Sequence, residues 1–184
     1  MFPVSKSRHN QYESTRTTRR LKPASLHYIE CLVDRDIAEI WGINVQWPWS
    51  RHLIEGRKTV ETRTYPIPTK HLNSPLAVIE TPGRHRISGA PDHSTIIGII
   101  VFSGCYQYQT RDQWAKDARK HLVPENDPDF AFNSTKPKWA WEVASAVTLR
   151  SPVLPPKPRG IVFCSSCAIP LNDLPPELRQ IFPI

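Results

Sequence analysis

Proline recurs 19 times in these 184 residues, against only 7 glycines. Each proline fixes φ and removes a backbone donor, so prolines break long helices and are excluded from central strands. Short elements and stiff loops are therefore expected. A hydrophobic share of 39% still allows a real core, and the length suits one domain with appendages. No apolar run approaches the roughly 20 residues that a membrane-spanning helix needs.

The net charge is +7, but its distribution matters more than its total. Residues 1–24 hold Lys6, Arg8, Arg16, Arg19, Arg20 and Lys22 against Glu13 alone, a net +5. The remaining chain carries only +2. The bulk charge is thus weak evidence that the folded part binds nucleic acid. The first 24 residues lack hydrophobic period and read as a disordered basic arm. They are Arg/Ser/Thr-rich like an organellar transit peptide, but without its amphipathic face.

Cys164 and Cys167 have the C-x-x-C spacing. A structural zinc site would add a second pair or a nearby histidine, and the last histidine is His121. No thioredoxin-like βαβ context surrounds the pair. The four cysteines, Cys31 and Cys105 included, therefore read as ordinary thiols in a reduced cytoplasmic compartment. No metal or cofactor is implied.

The segment 25–39 has apolar residues at helical spacing (Leu26, Ile29, Leu32 or Val33, Ile37) and is expected to dock as a helix. Residues 40–47 alternate as a strand. "PWSRHLIEG" reads as a short helix, with Pro48 at its first position and Gly56 as its left-handed stop. Strands are expected at 59–63, 74–82, 95–108 and 139–149, the third bent at Gly98 or Gly104. Thr110 and Gln113 form a capping box for a helix whose apolar stripe is Trp114, Ala118 and Leu122. A Pro-rich connector, a strand "IVFC" and a final helical turn in "LPPELRQIF" follow. With too few helices to wrap a parallel sheet, the fold class is α+β: a small, mostly antiparallel, curved sheet or barrel.

The densest charge lies in "HLIEGRKTVETRTYP", residues 52–66. In a strand, Glu61 and Arg63 share one face. Lys58 follows the helix stop, so alternation does not fix its direction. It can join Glu61 and Arg63 in one pocket, where a carboxylate between two cations stays ionised. The same residues can equally form a surface ion network of little energetic worth.

"GRKTVETR", residues 56–63, resembles the G-x-K-x-x-E-x-R signature of the ASCH domain, a branch of the PUA-like superfamily. The order of the surrounding segments is similar to that family's over residues 40–150, with 151–184 a Pro-rich extension packing on the domain. The resemblance implies a small β-barrel with a cleft at the signature, and RNA or other nucleic acid as ligand. Some bacterial members are amidohydrolases that deacetylate N4-acetylcytidine, using the signature lysine, a threonine three residues on and a later glutamate. Lys58 matches that lysine. Position 61 is Glu, so the threonine place is not filled, and Asp117 or Glu125 are the nearest candidates for the later carboxylate.

Three functional readings follow. In the first, the cleft binds RNA or a modified nucleoside. Lys58 and Arg63 supply cations and Glu61 orients them. Trp49, Trp141 and Trp47 can stack a base, while Arg84, His85, Arg86 and the arm meet phosphates. In the second, Lys58, crowded by Arg57 and Arg63, acts as base or nucleophile with Glu61 in amide hydrolysis or RNA cleavage. In the third, the P-x-x-P segment 152–158 docks a protein partner. No oligomerisation signal is present, so a monomer is expected.

Overall fold

The structure, a computed structural model, describes residues 37–83, 88–157, 160–174 and 176–179. The basic arm, residues 25–36 of the expected docking helix, and Arg84, His85 and Arg86 lie outside the described residues.

Among the described residues six strands form one sheet: β1 (Ile37–Gln46), β2 (Val60–Arg63), β3 (Pro75–Thr81), β4 (Thr95–Tyr108), β5 (Lys138–Val153) and β6 (Phe163–Pro170). Their order is β2-β5-β4-β3-β1-β6. Every pair is antiparallel except β1–β3. The fold is α+β and barrel-like, as expected. The ring is not closed, however, and β2 and β6 are its two edges. The helices are short: α1 (Trp49–Ile54), α2 (Arg111–Lys116), α3 (Ala118–His121) and α4 (Pro176–Arg179). Among the described residues no helix is long and apolar enough to cross a membrane.

β3 is buried on both faces. Leu76 and Val78 point into the cluster around α1, with Ile43, Leu53, Ile100 and Phe102. Ala77 and Ile79 point into the other cluster, with Ile40, Ile96 and Ile169. This two-sided burial accounts for the continuous apolar run in β3, since only an edge or half-exposed strand alternates. Glu80 ends the strand and is buried. It accepts hydrogen bonds from Ser50 Oγ and Arg51 Nε at 2.8 Å each, and Arg51 Nη2 reaches its other oxygen at 2.8 Å. This fork fixes α1 against the sheet.

Three expectations are corrected. Residues 37–39 open β1 rather than close a helix, because pairing with β6 aligns Ile37 with Pro170 and turns Ala38 and Ile40 inward. The strand expected at 139–149 runs on to Val153. The helix after Thr110 breaks at Asp117, so Ala118 is exposed and the buried face is Trp114, His121 and Val123. Its cap does form: Thr110 Oγ1 accepts from Gln113 N at 3.2 Å, and Gln113 Oε1 accepts from Gln109 N at 2.7 Å. The bends expected in β4 are register shifts beside Gly98 and Gly104.

Pro48 caps α1 one position earlier than expected. Gly56 ends the turn at φ +73°, with nothing within 4 Å of where a Cβ would sit. Any cost of a side chain there is therefore conformational, not steric. Gly56→Ala is expected to destabilise the protein by about 1 kcal/mol, measured by urea denaturation. An unchanged midpoint would contradict the left-handed turn.

Candidate nucleic-acid interface

The chain leaves α1 through Gly56 and an irregular step before β2. Lys58 N donates to His52 O at 2.8 Å, and Thr59 N to Lys120 O at 3.0 Å. β2 then pairs with β5, setting Glu61 opposite Trp141 and Arg63 opposite Trp139. The irregular step turns Lys58 inward, toward the side that Glu61 and Arg63 share.

The three charges meet as expected. Lys58 Nζ lies 3.5 Å from Glu61 Oε2, and Arg63 Nε lies 3.0 Å from Glu61 Oε1. Lys58 is 1% exposed and Glu61 5%, so this is not a solvated surface network. Burial pushes the Lys58 ammonium below its usual range; Glu61 opposes that shift, and Arg63 and Lys138 add to it. Arg57 is not part of this crowding. It is exposed and pairs with Glu55 on the surface.

These side chains line a cavity of about 540 Å³. It opens where the curled sheet fails to close, between β2 and β1. Arg63 Nη2 crosses that seam to donate to Asn44 O at 2.9 Å. Asn44 in turn holds the far rim: its Nδ2 donates to Gly160 O at 2.8 Å and Ile161 O at 3.1 Å, and Val162 O accepts Asn44 N at 2.7 Å. The third wall is the loop after α3, with Val123, Asp129 and Phe130. Two buried lysines clamp that loop. Lys58 Nζ donates to His121 O at 2.7 Å, and Lys138 Nζ donates to Phe130 O at 2.8 Å.

Trp49 lines the cleft and meets Phe130 edge-on, with ring centroids 6.4 Å apart. Trp141 does not offer a face to a ligand. It is fully buried, its Nε1 donates to Tyr65 O at 3.1 Å, and the Arg63 guanidinium lies 5.7 Å from its ring centroid. Trp47 is not among the lining residues. Asp117 is held by Tyr108 Oη at 3.0 Å, by Tyr106 and by Lys120 at 2.8 Å, away from the cleft. Glu125 is exposed and pairs with Arg111. Neither lines the cleft. Among the described residues no three His, Cys, Asp or Glu side chains converge as metal ligands would.

Sequence reasoning missed Lys138, Phe130, Tyr65 and Asn44. Lys138 is the least expected, since a lysine heading a Trp-bearing strand reads as solvent-facing. It is buried, and that burial lowers its pKa against the pull of Asp127 and Glu61.

No family model matches the chain, and no curated protein does. Among the solved structures that are similar are three of one bacterial protein. The ASCH protein from Zymomonas mobilis is 20% identical over 62% of this chain and 72% of that one, with a TM-score of 0.49. One point mutant of it is 20% identical over 62% and 74%, with a TM-score of 0.48. A second is 18% identical over 77% and 92%, with a TM-score of 0.51. The chain has the fold of an ASCH domain.

His121 is central to the loop wall. Its Nδ1 accepts from Val123 N at 3.0 Å, and its Nε2 lies 3.0 Å from Trp114 O, the pattern of a neutral ring. It stacks on Trp114 with centroids 3.8 Å apart. Burial lowers the pKa values of His52, His71 and His121 below 6.5, with Arg57 adding to the shift at His52. Below 6.5 the unfolded chain therefore binds more protons than the folded one. Stability is expected to be full above that pH and to fall as pH drops through the lowered values. Each histidine contributes a slope of up to about 1.4 kcal/mol per pH unit. Urea midpoints between pH 7.5 and 5.5 measure this, and His121→Asn should shallow the slope by about one proton.

Proposed function

We propose that this is an ASCH domain protein that binds RNA, or a modified nucleoside, in the cleft at the β2–β1 seam. The observation that carries the reading is the composition of the cleft. Lys58, Arg63 and Lys138 share it with Glu61 and Asp129, beside the aromatic rings of Trp49, Tyr65 and Phe130. Buried cations attract a phosphate or a base edge, and an aromatic face accepts any base. A volume of about 540 Å³ falls within the range of small-ligand sites. Glu61, held by Lys58 and Arg63, is an acceptor for a base amine. Arg84, Arg86 and the arm of residues 1–24 would add phosphate contacts. No cofactor enters this reading, and the protein acts as a cytoplasmic monomer. A protein partner at 152–158 would be an addition to it, not a requirement.

A second reading has its own support. Lys58 is buried beside Glu61 with its pKa lowered, the setting of an amine that is neutral more easily than a surface lysine. The corresponding activity is amide hydrolysis on an N4-acetylcytidine-like nucleoside, with Glu61 standing where the family has threonine. RNA cleavage by the same pair is its variant.

Fluorescence titration of a single-stranded RNA oligonucleotide tests the first reading. Binding should weaken steeply with salt, and deleting residues 1–24 should shallow that dependence. Lys58→Met should weaken binding at least about tenfold, or 1.4 kcal/mol, while circular dichroism shows the fold intact. Acetyl release from N4-acetylcytidine, lost in Lys58→Met, would favour the second reading. Binding of neither RNA nor nucleoside would overturn both.

A further inference from the structure

The C-x-x-C pair lies on β6, at the sheet edge away from β2. In a regular strand, residues three apart point to opposite faces. Here they do not. Ile40 pairs with Cys167 and Gly42 with Cys164, so Ser165 and Ser166 together oppose the single residue Trp41. This is a β-bulge, and Ser166 takes its extra turn at φ 56°. The result is that Cys164 and Cys167 both point inward, into the core with Ile40, Ala77 and Ile79. Ser165 and Ser166 stay exposed. The two thiols therefore share one face of the strand and one buried cluster. Across the ladder, Gly42 leaves the space they occupy, for a Cβ there would lie 2.6 Å from Cys167 Sγ.

We propose that Cys164 and Cys167 form a two-electron redox site, closing to a disulfide across the bulge. The bulge brings to one face two cysteines that a regular strand would separate. The oxidant class is a low-molecular-weight disulfide, RSSR. The Cys164 thiolate attacks one sulfur of RSSR, forming a mixed disulfide and releasing one thiolate, which takes up the proton that Cys164 lost. Cys167, deprotonated in turn, attacks the Cys164 sulfur and displaces the second thiol. The pair loses two hydrogens and two electrons, and RSSR becomes two RSH. Cys164 is the attacking member because it lies one pair from the end of the β1–β6 ladder, at Ile43 and Phe163, so opening there reaches it before Cys167. Access comes through the edge: among the described residues β6 is hydrogen-bonded in the sheet to β1 alone, so local opening exposes the pair without disrupting the core sheet.

The test uses the full chain in oxidised and reduced glutathione mixtures, with thiols trapped by alkylation and located by peptide mapping. The expected product is an intramolecular Cys164–Cys167 disulfide that dithiothreitol reverses. Cys167→Ala should stop at a glutathione adduct on Cys164, and Cys164→Ala should leave Cys167 reduced. A Cys31→Ser, Cys105→Ser double variant should still close the disulfide, which separates this pair from the other thiols. Both thiols remaining reduced in the folded wild type, under a mixture that oxidises the urea-unfolded chain, would overturn the proposal. So would pairing of either with Cys31 or Cys105. If the single variants fail to fold, the wild-type peptide map decides alone.

Discussion

The cleft depends on one carboxylate. Glu61 lies between Lys58 and Arg63, and without it two cations would face each other in a buried site. Held this way, Arg63 is aimed across the seam to the Asn44 carbonyl. That single side chain does what backbone pairing does elsewhere in the sheet, joining β2 to β1. An open six-stranded sheet thus acquires a fixed gap in place of a closed ring. The two banks of the gap are tied by a side chain rather than by a backbone ladder.

The third wall is tied by the same economy of polar contacts. Lysines at two points donate to carbonyls, one at the end of α3 and one in the loop that follows it. Buried ammonium groups need acceptors, and buried loop carbonyls need donors. Each solves the other's problem. A neutral His121 completes the arrangement by accepting from Val123 and stacking on Trp114. The wall and the cations of the cleft are therefore one structure. A ligand that draws Lys58 or Lys138 away from its carbonyl would also loosen the loop.

Most strands were legible because alternation and β-branched content mark them, and β4 runs over the expected residues. The signature charges were legible for the same reason, since a two-residue period puts Glu61 and Arg63 together. The start of β1 was not. Its apolar residues fit a helical period as well as a strand, and only pairing with Pro170, Ile169 and Ala168 on β6 decides between them. Trp141 was misread because a tryptophan on a strand beside the signature looks like a platform, whereas Tyr65, Phe102 and Phe163 pack around its ring. The bulge in β6 was invisible, for nothing in "CSSC" announces that one residue of β1 will face two.

By itself, then, the sequence determined the local items: the short helices, the turn at Gly56, the cap at Thr110, and the charges of residues 58–63, while the short elements expected from the prolines gave way, among the strands, to a 14-residue β4 and a 16-residue β5. These rest on interactions among neighbours in the chain, which periodicity and propensity encode. Tertiary structure alone decided that Lys138, Phe130 and Asn44 share the cleft with Lys58. It also decided that the ring stays open and that Cys164 meets Cys167. Those outcomes turn on strand order, register and sheet curl, which are set by contacts between segments far apart in sequence.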